Sequence, residues 1–225
     1  MKKLLLLPLL FAATAWTTTG STGSVFTLKI TSSRGMQGTV KIFYDTPGTR
    51  SEVDASMNSG FSIRKVSVIK KAEPNMVYQL DEKTKTYSTV EVSNAADNPS
   101  EPATATLLGS DSLNGFMCKH IRVKQGNRNW EIWNTTAVAE YASLSGVMNR
   151  QRYIGNHGLH DALKTIHAEG FPVKIILTDK EGTTTTELVE TKKQKLDPSL
   201  FEVPPGYTKA AYNPYPQNMP AGGKH

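Results

Sequence analysis

From Val25 onwards the chain alternates apolar and polar residues in short runs, the period-two pattern of half-buried strands. Phe26, Leu28 and Ile30 fall on one face, with Thr27, Lys29 and Thr31 on the other. Val40, Ile42 and Tyr44 repeat the pattern after a Gly35–Gly38 turn region, and Thr46-Pro47-Gly48 predicts a reversal into a more polar strand around Glu52–Met57. Phe61–Ile69 alternates again. Pro74-Asn75 turns the chain, and Met76, Tyr78 and Leu80 lead through a polar reversal at Asp81–Thr84 to a strand from Tyr87 to Val92. Asn94–Pro102 is the longest predicted loop. Beyond it, Thr104–Leu108, an Asn114-Gly115 hairpin signal, Phe116–Lys124 and Trp130–Trp133 continue the series. Val173–Thr178 and Thr183–Thr191 flank a turn at Asp179–Gly182, and Leu200–Tyr207 predicts a last short strand.

One stretch, Thr135–Gly170, breaks the rhythm. Val138, Tyr141, Leu144 and Met148 recur at helical spacing, as do Leu159, Leu163 and Ile166. The spacing predicts two helices, the second ending at Gly170 in a left-handed cap. Hairpin-length connections elsewhere predict an antiparallel meander. The expected fold is therefore mainly β with a helical insert (α+β), an antiparallel half-closed barrel wrapped around the two helices.

The first residues stand outside that fold. Met1-Lys2-Lys3, the apolar run Leu4–Ala15 and the small residues Ala13 and Ala15 read as a secretory signal peptide. The run is shorter than the roughly 20 apolar residues of a membrane span. The expected organisation is residues 1–15 signal peptide, 16–24 flexible lead-in, 25–208 folded domain and 209–225 disordered tail. The product is expected outside the cytoplasm, periplasmic or secreted, with no transmembrane segment in the mature chain. No Cys follows the apolar run, so no lipid-anchored N-terminus is expected.

Charge and chemistry narrow the function. The 225 residues carry 26 basic and 20 acidic side chains. Without Lys2 and Lys3, 24 basic residues face 20 acidic ones, a net of +4. This mild excess has no dense block beyond Lys192, Lys193 and Lys195, so nucleic acid is not an expected partner. Cys118 is the single cysteine, which excludes an intrachain disulfide. It reads as a buried thiol, with a weak catalytic alternative through His120 two residues along the same strand. His157, His160 and His167 are weak candidate metal ligands. Lys164 lies on their stripe, and their helical face is opposite Leu159, Leu163 and Ile166, so a solvated face accounts for them. The chain has no Gly-x-Ser-x-Gly elbow, no His-Glu-x-x-His pair and no phosphate loop, and neither an enzyme nor a cofactor is expected. Asn134-Thr135-Thr136 matches a glycosylation acceptor but reads better as a helix cap.

Several strings resemble a family of exported bacterial domains of unknown function. They are Val77-Tyr78-Gln79-Leu80-Asp81 with Lys85-Thr86-Tyr87, Leu108–Cys118, Trp130-Glu131-Ile132-Trp133, Glu169–Lys174 and Leu200–Tyr207. That family is similar in fold to the periplasmic lipoprotein-localisation factors (LolA/LolB type). The resemblance implies a half-barrel whose concave apolar face, capped by helices, receives acyl chains. It does not imply lipoprotein transport. The expected function is an exported, non-enzymatic protein binding a lipid or other apolar ligand, with an envelope protein-protein scaffold module as the alternative and a histidine-based metal enzyme third. The apolar lining is expected from Phe26, Leu28, Ile30, Ile42, Tyr44, Tyr78, Tyr87, Leu144 and Met148. Burying roughly ten methylenes at about 0.8 kcal/mol each gives about 8 kcal/mol gross. Association costs of about 4 kcal/mol leave millimolar to micromolar affinity, which suits a releasing carrier.

Overall fold

A computed structural model describes residues 22–91, 102–141, 144 and 157–212. Met148 and Asn94–Pro99, together with the expected signal peptide, lie outside the described residues. The described strands form one sheet. In chain order they are β1 (Thr22–Ser32), β2 (Met36–Asp45), β3 (Gly48–Met57), β4 (Ser62–Lys70), β5 (Met76–Asp81) and β6 (Thr86–Glu91). Then follow β7 (Thr104–Leu113), β8 (Phe116–Gln125), β9 (Arg128–Thr135), the helix α1 (His157–Thr165), β10 (Phe171–Asp179), β11 (Gly182–Lys195) and β12 (Thr208–Lys209). Their spatial order is β12-β6-β5-β4-β3-β2-β1-β11-β10-β9-β8-β7. Every pairing is antiparallel except the short parallel contact of β12 with β6.

Two meanders are therefore joined at β1–β11, where Thr22 lies opposite Lys195 and Ser32 opposite Thr184. Tight turns follow their sequence signals. Asn114 and Gly115 take positive φ values of 52° and 81°, the backbone a two-residue hairpin needs. The sheet is not closed, since β7 and β12 are its edges, but it curls. Asn114, at the tip of the β7–β8 hairpin, donates through Nδ2 to the Leu188 carbonyl at 2.7 Å. In the strand order β9 and β10 stand between β8 and β11, which carries Leu188.

Register separates the two faces. Phe26 lies opposite Ile42, Ile42 opposite Ser51, Ser51 opposite Ser67 and Ser67 opposite Gln79, all on one face. Val25, Phe43, Arg50, Val68 and Tyr78 make the corresponding row on the other. On the first face Phe26, Leu28, Ile42 and Leu188 bury against Val138, Leu144, Phe171 and Val173. Beside them α1 sets Leu159 and Ala162 on Ile121, Val123, Trp130 and Ile132. On the second face the C-terminal stretch runs as a strap. Leu196 and Phe201 cover Val25 and Phe43, then Val203 and Tyr207 cover Val66, Val68 and Leu80.

Several sequence expectations shift. One helix is described, and only Tyr141 and Leu144 of the expected first helix fall among the described helical positions, so wrapping around two helices is not established. β1 begins at Thr22, inside the expected lead-in. The left-handed residue after α1 is His167 (φ 51°), with Ala168 N–H donating to the Leu163 carbonyl at 2.9 Å; Gly170 is not that cap. Gly170 is needed for close approach instead, because a Cβ there would stand 2.7 Å from the Thr135 oxygen. In place of a strand over Leu200–Tyr207, Pro198–Phe201 forms a 3-10 turn started by Asp197, whose side chain accepts from Ser199 N–H at 2.9 Å. The strap crosses the sheet face and meets a strand edge only at Thr208–Lys209.

A split opens between β10 and β11. Pro172 has no N–H to give a ladder, and the pairing of β10 with β9 is irregular between Pro172 and Lys174. β10 pairs with β11 only from Lys174 opposite Glu187 onwards. Phe171 and Val173, both fully buried, turn into the core. The part of β11 beyond Glu187 therefore keeps β1 as its strand partner and has none on its other side among the described residues.

Candidate functional site

At that split lies a cleft of about 170 Å3 between β1, the exposed part of β11, the tip of β8 and the segment entering the helical insert. Phe26, Phe116 and Val138 give it an apolar floor; Ser24, Glu140 and Lys193 give it a polar rim. The local sequence places each of these. Ser24 and Phe26 are two apart on β1 and share a face. The Asn114-Gly115 turn swings Phe116 inwards, and Thr135 Oγ1 accepts from Ala137 N–H at 3.2 Å, setting the turn that presents Val138 and Glu140. Glu140, whose side chain is 15 % exposed, accepts from Ser24 Oγ at 2.6 Å and forms an ion pair with Lys193. The rim is thus a neutral, mutually satisfied set. It holds the insert to the sheet and leaves no activated nucleophile.

The expected lining residues divide. Phe26, Leu28, Ile42 and Leu144 are buried together in one cluster, with Tyr44 packed at its margin. That cluster is filled by Phe171 and Val173, so these residues make core, and of them Phe26 alone also lines the cleft. Ile30 is half-buried on the same face opposite Gly38. Tyr78 and Tyr87 are not with them. Both lie on the opposite face, their ring centroids 6.2 Å apart, packed on the cluster under the strap. The reason is register: in line with Ile42, β3, β4 and β5 present Ser51, Ser67 and Gln79. Ser51 and Ser67 are buried, so that face turns from apolar to hydroxyl-bearing across β3 and β4. Met148 lies outside the described residues.

The histidine candidates are not assembled either. His160 is half-buried on α1 and His167 is exposed after it, while the His157 side chain is outside the described set. Among the described residues no group of three His, Cys, Asp or Glu side chains is placed to hold a metal. Cys118 is 2 % exposed, burial pushes its thiol pKa up, and its sulfur faces the Phe116 carbonyl. That environment disfavours the thiolate a catalytic role requires. His120 belongs to another cluster. It stacks on Trp133 with centroids 4.2 Å apart, between Asp111 at 3.3 Å and Glu131 at 3.5 Å. Trp133 Nε1–H donates to Asp111 at 3.0 Å, and the Lys174 ammonium lies 5.7 Å from the indole centroid on β10. The Arg122 guanidinium, with His120 assisting, outweighs burial and holds the Glu131 carboxyl below its usual range. The glycosylation signal fails on burial: Asn134 is 5 % exposed and donates to the Ala168 carbonyl at 2.8 Å.

Sequence reasoning missed Ser24, Phe116, Glu140, Thr191 and Lys193 as cleft residues. Phe116 had a signal, an apolar residue directly after a hairpin turn. The pairing of Glu140 with Ser24 spans 116 positions and had none.

Among solved structures, the chain is similar to PNGF-II at 14% identity and a TM-score of 0.47, covering 86% of this chain and 31% of that one. It thus spans about a third of the length of PNGF-II. An outer membrane lipoprotein-sorting protein domain from Vibrio parahaemolyticus shows 8% identity and a TM-score of 0.32, over 79% of this chain and 88% of that one. A DUF1329 family protein from Desulfovibrio piger ATCC 29098 shows 8% identity and a TM-score of 0.29, over 82% and 91%. All are distant likenesses. No curated protein matches the chain. A family profile matches residues 22–207, nearly the whole described fold, and the chain accordingly belongs to the family described as Domain of unknown function (DUF4412).

Proposed function

We propose that this chain is an exported, non-enzymatic binding protein that seats a lipid or other apolar ligand in the cleft between β1, β11 and the helical insert. The observation that carries this reading is the apolar floor of Phe26, Phe116 and Val138, open at the margin of a filled core and bounded by a satisfied polar rim. Apolar concavities with a few fixed polar groups are where small molecules dock. Size refines the expectation. A cleft of about 170 Å3 is smaller than the roughly 300–1,000 Å3 that enclose drug-sized ligands. It takes the end of a chain or a compact apolar group, with the rest of the ligand outside, and not a whole buried acyl chain. Affinity then stays weak and release easy. Among the described residues no helix is long and apolar enough to cross a membrane.

Native mass spectrometry of freshly purified protein tests this by reporting co-purifying apolar species, together with displacement of a fluorescent apolar probe. Ala137 is exposed at the cleft, so Ala137→Trp fills it without disturbing the core. The variant is expected to lose the bound species and probe binding at unchanged thermal stability. Unchanged binding in that variant removes the reading.

A further inference from the structure

We propose that Asn114 is the latch of the cleft: its amide holds the β7–β8 hairpin tip to β11, fixes Phe116 as a wall and so admits only the slender end of an apolar ligand. This rests on the reading that the cleft seats such a ligand. β9 and β10 stand between β8 and β11 in the strand order, so the tip reaches β11 across the curl of the sheet. It arrives where β10 has turned away, at the residue after the last β10–β11 pair, Lys174 opposite Glu187. There Asn114 Nδ2 donates to the Leu188 carbonyl at 2.7 Å and to Glu187 Oε1 at 3.2 Å. An amide nitrogen carries two hydrogens, so both are used on β11. Glu187 is itself held from β10, where the Lys174 ammonium lies 3.8 Å from its other oxygen. The latch thus joins the turn, β10 and β11 at one point.

The turn does not need that amide. Asn114 takes a φ of 52°, a left-handed conformation that glycine adopts readily. What the amide adds is a fixed position for the tip. Phe116 pairs with Leu113 across the turn, and both pack on the core cluster that holds Phe26 and Leu188. Phe116 also lines the cleft together with Phe26 and Val138, so its place sets the width of the floor. Apolar packing is non-directional and lets a ring slide. A hydrogen bond of defined length and angle fixes where the tip stands. Cys118, in the same cluster, is 2 % exposed. Movement of the tip away from β11 widens the cleft and uncovers this thiol, the single cysteine of the chain. The plain account of Asn114 is turn chemistry alone, and the experiment separates the two.

The test compares the wild-type protein with Asn114→Gly, which keeps the turn and removes the amide. Lys85→Gly, the same change at a φ of 52° in the β5–β6 turn, is the control. Displacement of N-phenylnaphthylamine by n-octanol and by the bulkier adamantanol reads the selectivity of the cleft. Reaction of Cys118 with dithiodipyridine, without ligand, reads movement of the tip. The wild type is expected to bind octanol at least about tenfold more tightly than adamantanol. In Asn114→Gly that preference is expected to fall to about twofold or less. Its Cys118 is expected to react about fivefold to thirtyfold faster, the worth of one or two part-buried hydrogen bonds. Circular dichroism is expected to be unchanged, and Lys85→Gly to match the wild type in every readout. If neither alcohol displaces the probe from the wild type, the cleft reading falls and the latch with it. If the wild type shows the preference and Asn114→Gly keeps either that preference or the slow thiol, the amide serves the turn alone and this proposal falls by itself. Equal binding of the two alcohols by the wild type, or equal thiol acceleration in Lys85→Gly, overturns it as well.

Discussion

On the face carrying Phe26, Leu28 and Ile42, the cover is an internal segment, and the face carrying Val25, Phe43 and Val68 is covered by the last described stretch of the chain. The internal cover is pinned at points: Glu140 to Ser24 and Lys193, Asn134 to the Ala168 carbonyl, Lys119 to the His167 carbonyl. The strap is pinned along its course. Arg50, 7 % exposed, holds Glu52 at 2.7 Å and Glu82 at 3.3 Å and reaches the Leu200 carbonyl at 3.4 Å. Lys70 pairs with Glu202, and Thr208 and Ala210 donate to the Lys85 and Tyr87 carbonyls. The difference teaches where a ligand site can form in this fold. The described cleft lies beside the cover that is tied at points.

The largest expected effect compares the two anchors directly. Phe171→Ala and Phe201→Ala each remove a fully buried ring, the first beneath the internal cover and the second carried by the strap itself. Each is expected to cost about 3–5 kcal/mol in urea unfolding. If Phe201→Ala costs less than about 1 kcal/mol, the strap is an accessory and the comparison fails. Next, Arg50→Met removes the cation that holds Glu52 at 2.7 Å, while Glu82 keeps Arg64 at 2.8 Å. The carboxylates are partly exposed, so a loss of about 2 kcal/mol is expected, with faster proteolysis after Leu196. Asn134→Ala leaves the Ala168 carbonyl without its donor on the other face, for about 1–3 kcal/mol. Its exchange signature is expected at Ala168–Phe171 with the strap unaffected. The smallest effect is alkaline. The Glu73 hydrogen bond, with burial behind it, raises Tyr78 from 10.0 to about 12. The neutral phenol is the favoured form, so its contribution is whole below pH 10.0 and is lost as pH rises through about 12. One tyrosine is expected to titrate late by absorbance, and Tyr78→Phe removes that late step alone.

Alternation made the strands legible, because Phe26-Thr27-Leu28 or Val66–Val68 must put apolar groups on one side or the other. It did not say which side is shared across strands. Tyr78 and Phe26 look equivalent within their own runs, yet the turns of two and more residues between β2 and β5 place them on opposite faces. The helical spacing of Leu159, Leu163 and Ile166 was sufficient to find α1. The stop at His167 was not, since its carbonyl is held by Lys119 of β8, a contact that spacing along the helix does not show. The cleft was the least legible part. It depends on β10 leaving β11 at Pro172, on the hairpin carrying Phe116 and on Glu140 meeting Ser24, all separations that a reading of neighbours along the chain does not reach.

The joint between Thr22–Ser32 and Thr184–Lys195 sets an order on assembly. The first strand to be synthesised acquires its second neighbour only when nearly all of the polypeptide exists, so the two meanders remain separate ribbons until late. Pairings of such long sequence separation are slow to form. Closing the β1–β11 seam is thus expected to be the late, rate-setting step of folding.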